Sequence, residues 1–252
     1  MFPKYRYISL SNKYIVLYII KWSTETIGWH KEGVNEMLLK YLDVAFKNIS
    51  DSNENLRVLV PLCGKTVDMK FLAQNENVDE VYGVDGILKA LEAFSAENPE
   101  LMIQSVEGTD HFDRLSGNGI SLLRGDFFAL NKDELDDECV DVVWDRASFV
   151  AIKPEVRGEY LETVRRVIKP GGVILMVTVD RREGTEEAKL RGPPFSVNEE
   201  DLHSLYGTLP WIESIEKLDE TDVAVNADDK ERLLKQGMVS MFEVCFLIRT
   251  KK

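Results

Sequence analysis

Short apolar runs alternate with amphipathic stretches along most of this chain. Residues 57–62 read Arg-Val-Leu-Val-Pro-Leu, the composition of a parallel strand covered on both faces. The runs 81–84, 121–124, 141–146 and 173–179 predict further strands. Between them, periodicity predicts helices over 67–74, 87–96 and 154–168. Pro154 suits a first helical position, where a backbone N–H would go unpaired anyway, and Lys169-Pro170-Gly171-Gly172 is a stop signal. Upstream, residues 32–46 place Val34, Leu38, Leu42 and Ala45 on one helix face. A polar loop, 49–55, leads from there into the first strand. Ser116-Gly117-Asn118-Gly119 lies between two apolar segments and predicts a hairpin over 112–125. Asn198 predicts the cap of a helix ending at Tyr206, and 212–218 and 241–248 are two closing strands. No internal repeat or long linker interrupts the pattern, so the expectation is one α/β domain.

Residues 14–20, Tyr-Ile-Val-Leu-Tyr-Ile-Ile, follow Lys4, Arg6 and Lys13, in the order of a secretory leader. The run is short, no small-residue cleavage site follows, and Lys21-Trp22 ends it. It is far below the roughly 20 apolar residues of a membrane span. It reads as a strand or helix packed on the domain. An apolar fraction of 44% is ample for a core. The net charge of −13 argues against nucleic acid or an anionic membrane as partner and favours a small molecule. Cys63, Cys139 and Cys245 have no paired spacing, which argues against a zinc site or disulfide framework and makes a reducing, cytoplasmic setting the expectation.

Candidate chemistry begins where the first strand ends. Gly64 has no Cβ, so its backbone can approach a ligand closely. The helix that follows presents free N–H groups. Asp85 ends the second apolar run about twenty residues later, where a Rossmann-type fold holds a ribose hydroxyl. Gly64-Lys65-Thr66 resembles the end of a phosphate-binding loop, but position 59, where that loop needs a glycine, is Leu59. A dinucleotide fingerprint needs two further glycines. S-adenosylmethionine carries a ribose and no phosphate, so one glycine suffices for it. A plain turn in an α/β protein is the other reading of this stretch.

Pro61-Leu62-Cys63-Gly64-Lys65, Trp144-Asp145-Arg146, Val150-Ala151-Ile152 and Gly192-Pro193-Pro194-Phe195 occur here in order, after Lys21-Trp22 and Gly28-Trp29-His30. This combination resembles the thiopurine S-methyltransferase family of class I S-adenosylmethionine-dependent methyltransferases, over about residues 18–250. The resemblance implies a Rossmann-like α/β fold: a mostly parallel central sheet with an antiparallel edge strand and helices on both faces. It divides the chain into an apolar extension (1–20), a helical cofactor lid (21–50) and a core (56–250).

It also implies roles. Asp85 would accept from both ribose hydroxyls, and Leu62 and Gly64 would offer backbone contacts. Gly125 and Asp126 would lie beside the adenine. Trp22 and Trp29 would pack over the sulfonium and adenine, a cation–aromatic contact worth about 0.5–2 kcal/mol. Arg146 would stand near methyl donor and substrate, and Arg232 would contact the substrate from the charged, mobile segment 228–232. Pro194 and Phe195 would wall an apolar substrate pocket. The three histidines, His30, His111 and His203, have no metal spacing, and only His30 is near the implied lid. An already ionised thiol needs no strong base, because the thiolate is the nucleophile. The expectation is therefore a monomeric, cytoplasmic enzyme that methylates the sulfur of small aromatic or heterocyclic thiols with S-adenosyl-L-methionine. The alternatives are a halide, thiocyanate or other small-thiol methyltransferase and a non-catalytic S-adenosylmethionine-binding protein.

Overall fold

The computed structural model describes residues 13–24, 26–49, 55–135 and 139–252. Two helices come first, α1 (Lys13–Ser23) and α2 (Glu36–Lys47). Strands and helices then alternate: β1 (Leu56–Pro61), α3 (Asp68–Ala73), β2 (Val78–Asp85) and α4 (Leu88–Glu97). A three-stranded meander follows, β3 (Gln104–Val106), β4 (Asp113–Gly117) and β5 (Ile120–Arg124), before β6 (Val140–Arg146), α5 (Arg157–Val167) and β7 (Ile168–Gly184). The rest is α6 (Glu186–Leu190), α7 (Glu199–Tyr206), β8 (Ile212–Asp222), α8 (Ala227–Lys235) and β9 (Met238–Thr250). The strands form one sheet in the order β3-β4-β5-β2-β1-β6-β7-β9-β8. Strands β5, β2, β1, β6 and β7 run parallel, and antiparallel strands flank them on both margins. The expected antiparallel edge is thus present twice.

Alternation along the strands explains the layers. Leu59 of β1 faces one core, shared with Tyr160, Val164 and Tyr206 of α5 and α7. Its neighbours Val58 and Val60 face the other, with Leu38, Leu42, Met69, Leu72 and Phe94 of α2, α3 and α4. A Cβ at position 83 in β2 would stand 2.5 Å from Met69 Sδ, so a glycine is what lets α3 lie so close to the sheet.

Most elements fall where the pattern places them. Asn118-Gly119 joins β4 to β5. Asn198 caps α7 in a reciprocal capping box with Asp201. The apolar run 14–20 lies in α1, and Trp22 from the end of this helix packs with Ile87 and Ala90 against α4. Three differences stand out. Strand β3 escapes a hydrophobicity reading because all three of its residues are exposed. Segment 228–232, expected to be mobile, is helical: Asn226 caps α8 by accepting from the Asp229 N–H, and Leu233 anchors it in a small apolar cluster. Helix α5 ends at Val167 and β7 starts at once, so the Pro-Gly-Gly stop lies inside the strand's irregular first residues. Residues 1–12 and most of the polar loop 49–55 lie outside the described residues.

A buried carboxylate fastens the N-terminal segment to the sheet. Asp68, 2% exposed, accepts from the Asn35 N–H at 2.8 Å and from Trp144 Nε1 at 2.9 Å. Asn35 itself caps α2. Replacing Asp68 by Ala leaves two buried donors without acceptors, each worth about 1–3 kcal/mol. The Asp68→Ala protein is expected to unfold at a clearly lower urea concentration. An unchanged midpoint would show that these bonds contribute nothing net.

Candidate active site

The carboxyl ends of β1, β2, β5 and β6 open on a cavity of about 1040 Å³. Open α/β sheets bind ligands in this place. Two residues at strand ends hold left-handed backbone without being glycine: Leu62 at φ +43° after β1 and Ala147 at φ +65° after β6. Such conformations cost about 1–3 kcal/mol each and persist only where surroundings impose them. Here the Cys63 N–H binds the Val84 carbonyl, and Ser148 Oγ binds the Pro61 carbonyl. Leu62 and Ala147 both line the cavity.

Asp85 is the centre of this wall. Its carboxylate is 8% exposed and accepts from the Gly64 N–H and the Ile87 N–H, each at 2.8 Å. Burial pushes its pKa up to about 6, against the pull of those two backbone bonds. Gly64 stands at φ +55°, and a Cβ there would lie 3.3 Å from the Trp22 ring. Trp22 is thus the roof of the glycine turn, and Lys89 Nζ binds its carbonyl at 2.9 Å. Trp29 is half-buried, stacks edge-on against Tyr18 with centroids 5.3 Å apart and carries Lys21 Nζ over its ring. Gly125 and Asp126 close the far side. Asp126 Oδ1 accepts from the Phe128 N–H, and a Cβ at Gly125 would collide with the Phe112 ring.

Arg146 Nη1 donates to the Trp29 carbonyl at 2.8 Å. It therefore joins the end of β6 to the N-terminal segment. Its neighbour Asp145 points the other way, into the core, and accepts from Tyr160 Oη at 2.6 Å and from the Phe149 N–H at 3.0 Å. Pro194 lines the cavity, as does the neighbouring Pro193. Phe195 is not among the lining residues; its ring folds back on Gly192, and its N–H binds the Val150 carbonyl. Arg232 reaches the cavity rim from α8, but its side chain is 58% exposed and paired with Asp229 at 3.0 Å. His30 does not line the cavity; partial burial and Lys65 hold its pKa below the usual value. No cluster of histidine, cysteine or carboxylate side chains suited to a metal exists among the described residues, nor is any helix among them long and apolar enough to cross a membrane. Sequence reasoning missed Asp68, Lys31, Glu243 and Arg181. Lys31 Nζ bonds Glu243 at 3.2 Å across the cavity's edge. No local sequence signal marks any of these residues, because their partners are distant in sequence.

The sheet order, the helices on both faces and the cavity at the carboxyl ends define a class I S-adenosylmethionine-dependent methyltransferase fold. The structure is similar to that of Burkholderia thailandensis 1,6-didemethyltoxoflavin-N1-methyltransferase with 1,6-didemethyltoxoflavin and S-adenosylhomocysteine bound (TM-score 0.57, 11% identity, 97% of this chain and 93% of that chain covered). It is also similar to an arsenic(III) S-adenosylmethionine methyltransferase from Chlamydomonas reinhardtii (TM-score 0.53, 18% identity, 84% and 73% covered). The sequence profile of the thiopurine S-methyltransferase family matches residues 19–251. Proteins named thiopurine S-methyltransferase from Nitrosospira multiformis and Vibrio atlanticus are 35% and 32% identical, each over 92% of this chain and 96% and 95% of their own. The chain belongs to the thiopurine S-methyltransferase family. It is an enzyme that methylates with S-adenosyl-L-methionine as cofactor.

The buried carboxyls make stability depend on pH. Burial pushes Asp145, like Asp85, up to about 6, above the roughly 3.9 of an unfolded chain. Such a group costs stability while ionised, so stability returns as pH falls through 6. Half-exposed His30, with its lowered pKa, opposes this in part because it must charge on unfolding. Taking the ligand-free protein from pH 7 to pH 5 is expected to raise its unfolding free energy by about 1 kcal/mol for each of the two aspartates, less the histidine contribution. A urea midpoint that falls steadily over this window would contradict it.

Proposed function

We propose that this enzyme transfers the methyl group of S-adenosyl-L-methionine to the sulfur of small aromatic or heterocyclic thiols of the thiopurine type. The observation that carries this reading is the make-up of the cavity. Val177, Val179, Ile152 and Pro194 give it an apolar wall, Arg146 supplies a cation, and no histidine or cysteine lines it among the described residues. Its volume of about 1040 Å³ stands at the upper end of the roughly 300–1,000 Å³ of small-molecule pockets, which leaves room for donor and acceptor together. Such a site suits an acceptor that arrives ionised and needs alignment, dryness and charge balance more than a base.

The residues present fit the cofactor. Asp85 is a buried carboxylate with two backbone donors and, among the described residues, no cation beside it; two ribose hydroxyls are the donors that would favour its charged form. Leu62, Gly64 and Gly125 offer backbone at the cavity wall, and Asp126 offers a carboxylate beside the adenine position. Trp22 and Trp29, in a lid drawn from residues 21–50 over the core 56–250, would cover the sulfonium with aromatic faces. When bound, S-adenosyl-L-methionine supplies a methyl group made electrophilic by its positive sulfur. Arg146, fixed by the Trp29 carbonyl, would hold the acceptor anion and keep its sulfur in line. Pro194 and Arg232 would border the acceptor, and Phe195 would support that wall through Gly192.

The direct test is methyl transfer from labelled S-adenosylmethionine to a thiopurine, with a simple aromatic thiol and iodide in parallel. The expected product is an S-methylated thiopurine or aromatic thiol. Methylated iodide alone would place the enzyme among halide methyltransferases, and cofactor binding without any product would make it a binding protein. The Asp85→Ala protein should bind S-adenosylhomocysteine about 10- to 100-fold more weakly, because two ribose hydroxyls lose their acceptor. Calorimetry giving an unchanged dissociation constant would remove the ribose role. Arg146→Ala should slow transfer without lowering the melting temperature in proportion; the reverse would make Arg146 a structural tie only.

A further inference from the structure

Past the end of β6, the cavity floor is the sheet face made by β7, β9 and β8. Val177, Val179 and Arg181 are alternate residues of β7 and all line the cavity, as strand geometry requires of positions two apart. Val177 pairs with Arg146 in the parallel register, which places Val177 at the proposed sulfur end. Arg181 lies four residues further along, about 13 Å at the usual strand rise, a distance that a one-ring acceptor spans only together with the reach of the arginine's own long side chain. Across from it on β9 stands Met241, and across from Val179 stands Glu243, both lining the cavity as well.

Arg181 is a half-buried cation without a counter-charge. Its Nη1 donates to the Arg191 carbonyl, and its backbone N–H takes Ser196 Oγ as acceptor. Among the described residues no carboxylate lies within ion-pair distance of its guanidinium. Glu243, across from Val179 on the cavity floor, is engaged by Lys31 at 3.2 Å, and the adjacent Asp180 is paired with Arg182 at 2.7 Å. Burial, and after it the neighbouring cation Arg191, hold the Arg181 pKa below its usual value. A guanidinium at the end of an apolar floor, with most of its fork unused, is suited to a planar anion taken up bidentately. Arg232, in contrast, already has Asp229.

We propose that Arg181 is a specificity-determining residue that reads a carboxylate, or a comparable planar anion, on the acceptor at the end of its ring remote from the sulfur. The preferred acceptors are then aryl or heteroaryl thiols that carry an acid group across the ring. This rests on the sulfur-acceptor reading above for its first half only, since the anion site is a binding property in its own right.

Two measurements separate the parts. The first compares kcat/KM for 4-mercaptobenzoate and 4-mercaptobenzamide in the native protein, Arg181→Gln and Arg181→Lys. The carboxylate-to-amide ratio is expected to fall about tenfold or more in Arg181→Gln and to recover in part in Arg181→Lys, which keeps the charge and loses the fork. The second is calorimetric binding of benzoate and benzamide in the presence of S-adenosylhomocysteine. Benzoate is expected to bind more tightly than benzamide, with the difference lost in Arg181→Gln. A ratio and a benzoate affinity that Arg181→Gln leaves unchanged would overturn the proposal while sulfur methylation stands. Benzoate binding that depends on Arg181, with neither thiol methylated, would support the anion site and overturn the sulfur reading instead.

Discussion

Everything at the carboxyl ends of this sheet is arranged around one buried negative charge. Asp85 closes β2, and its two oxygens are held by the backbone N–H groups of Gly64 and Ile87, one from the turn after β1 and one from the start of α4. A carboxylate so placed is costly when ionised, which its pKa near 6 records. Proteins keep such a cost where a ligand repays it. The Gly64 turn can take its shape because position 64 lacks a Cβ, and it is roofed by Trp22 for the same reason. Carboxylate, turn and roof are one unit.

The N-terminal segment joins this unit through contacts from three directions. Asn35 hangs on Asp68, Trp29 is held by Arg146, and Lys31 reaches Glu243 on β9. Each tie ends on a residue at or near the cavity. Under the proposed function, closing the cover and aligning the acceptor are the same event, because Arg146 serves both. The strained backbone at Leu62 and Ala147 belongs to this arrangement too: both lie where strands give way to the cavity wall.

Much of this was legible in the residues. Branched apolar runs marked the parallel strands because those strands are buried on both faces, and Asn118-Gly119 and Asn198 marked a turn and a cap because their chemistry is local. Gly64 and Asp85 were readable for a similar reason, since spacing from a strand end fixes both. Elements held by few buried residues left no such trace: β3 is wholly exposed, and α8 buries Leu233 almost alone. Partners distant in sequence were also invisible. Nothing local tells that Asp68 will serve Asn35 and Trp144, that Asp145 will turn from Arg146 to Tyr160, or that the Phe195 ring will fold onto Gly192. Arg181 sits in a charged stretch of sequence, and only the register of β7 brings it onto the cavity floor.

The measurement that bears most directly on this account is the titration of the Asp85 carboxyl, followed by carbon-13 NMR with and without S-adenosylhomocysteine. A pKa near 6 is expected in the ligand-free protein, with a clear fall on binding if ribose hydroxyls stabilise the charged form. A pKa that stays in place or rises when the ligand binds would show that this carboxylate does not anchor the cofactor.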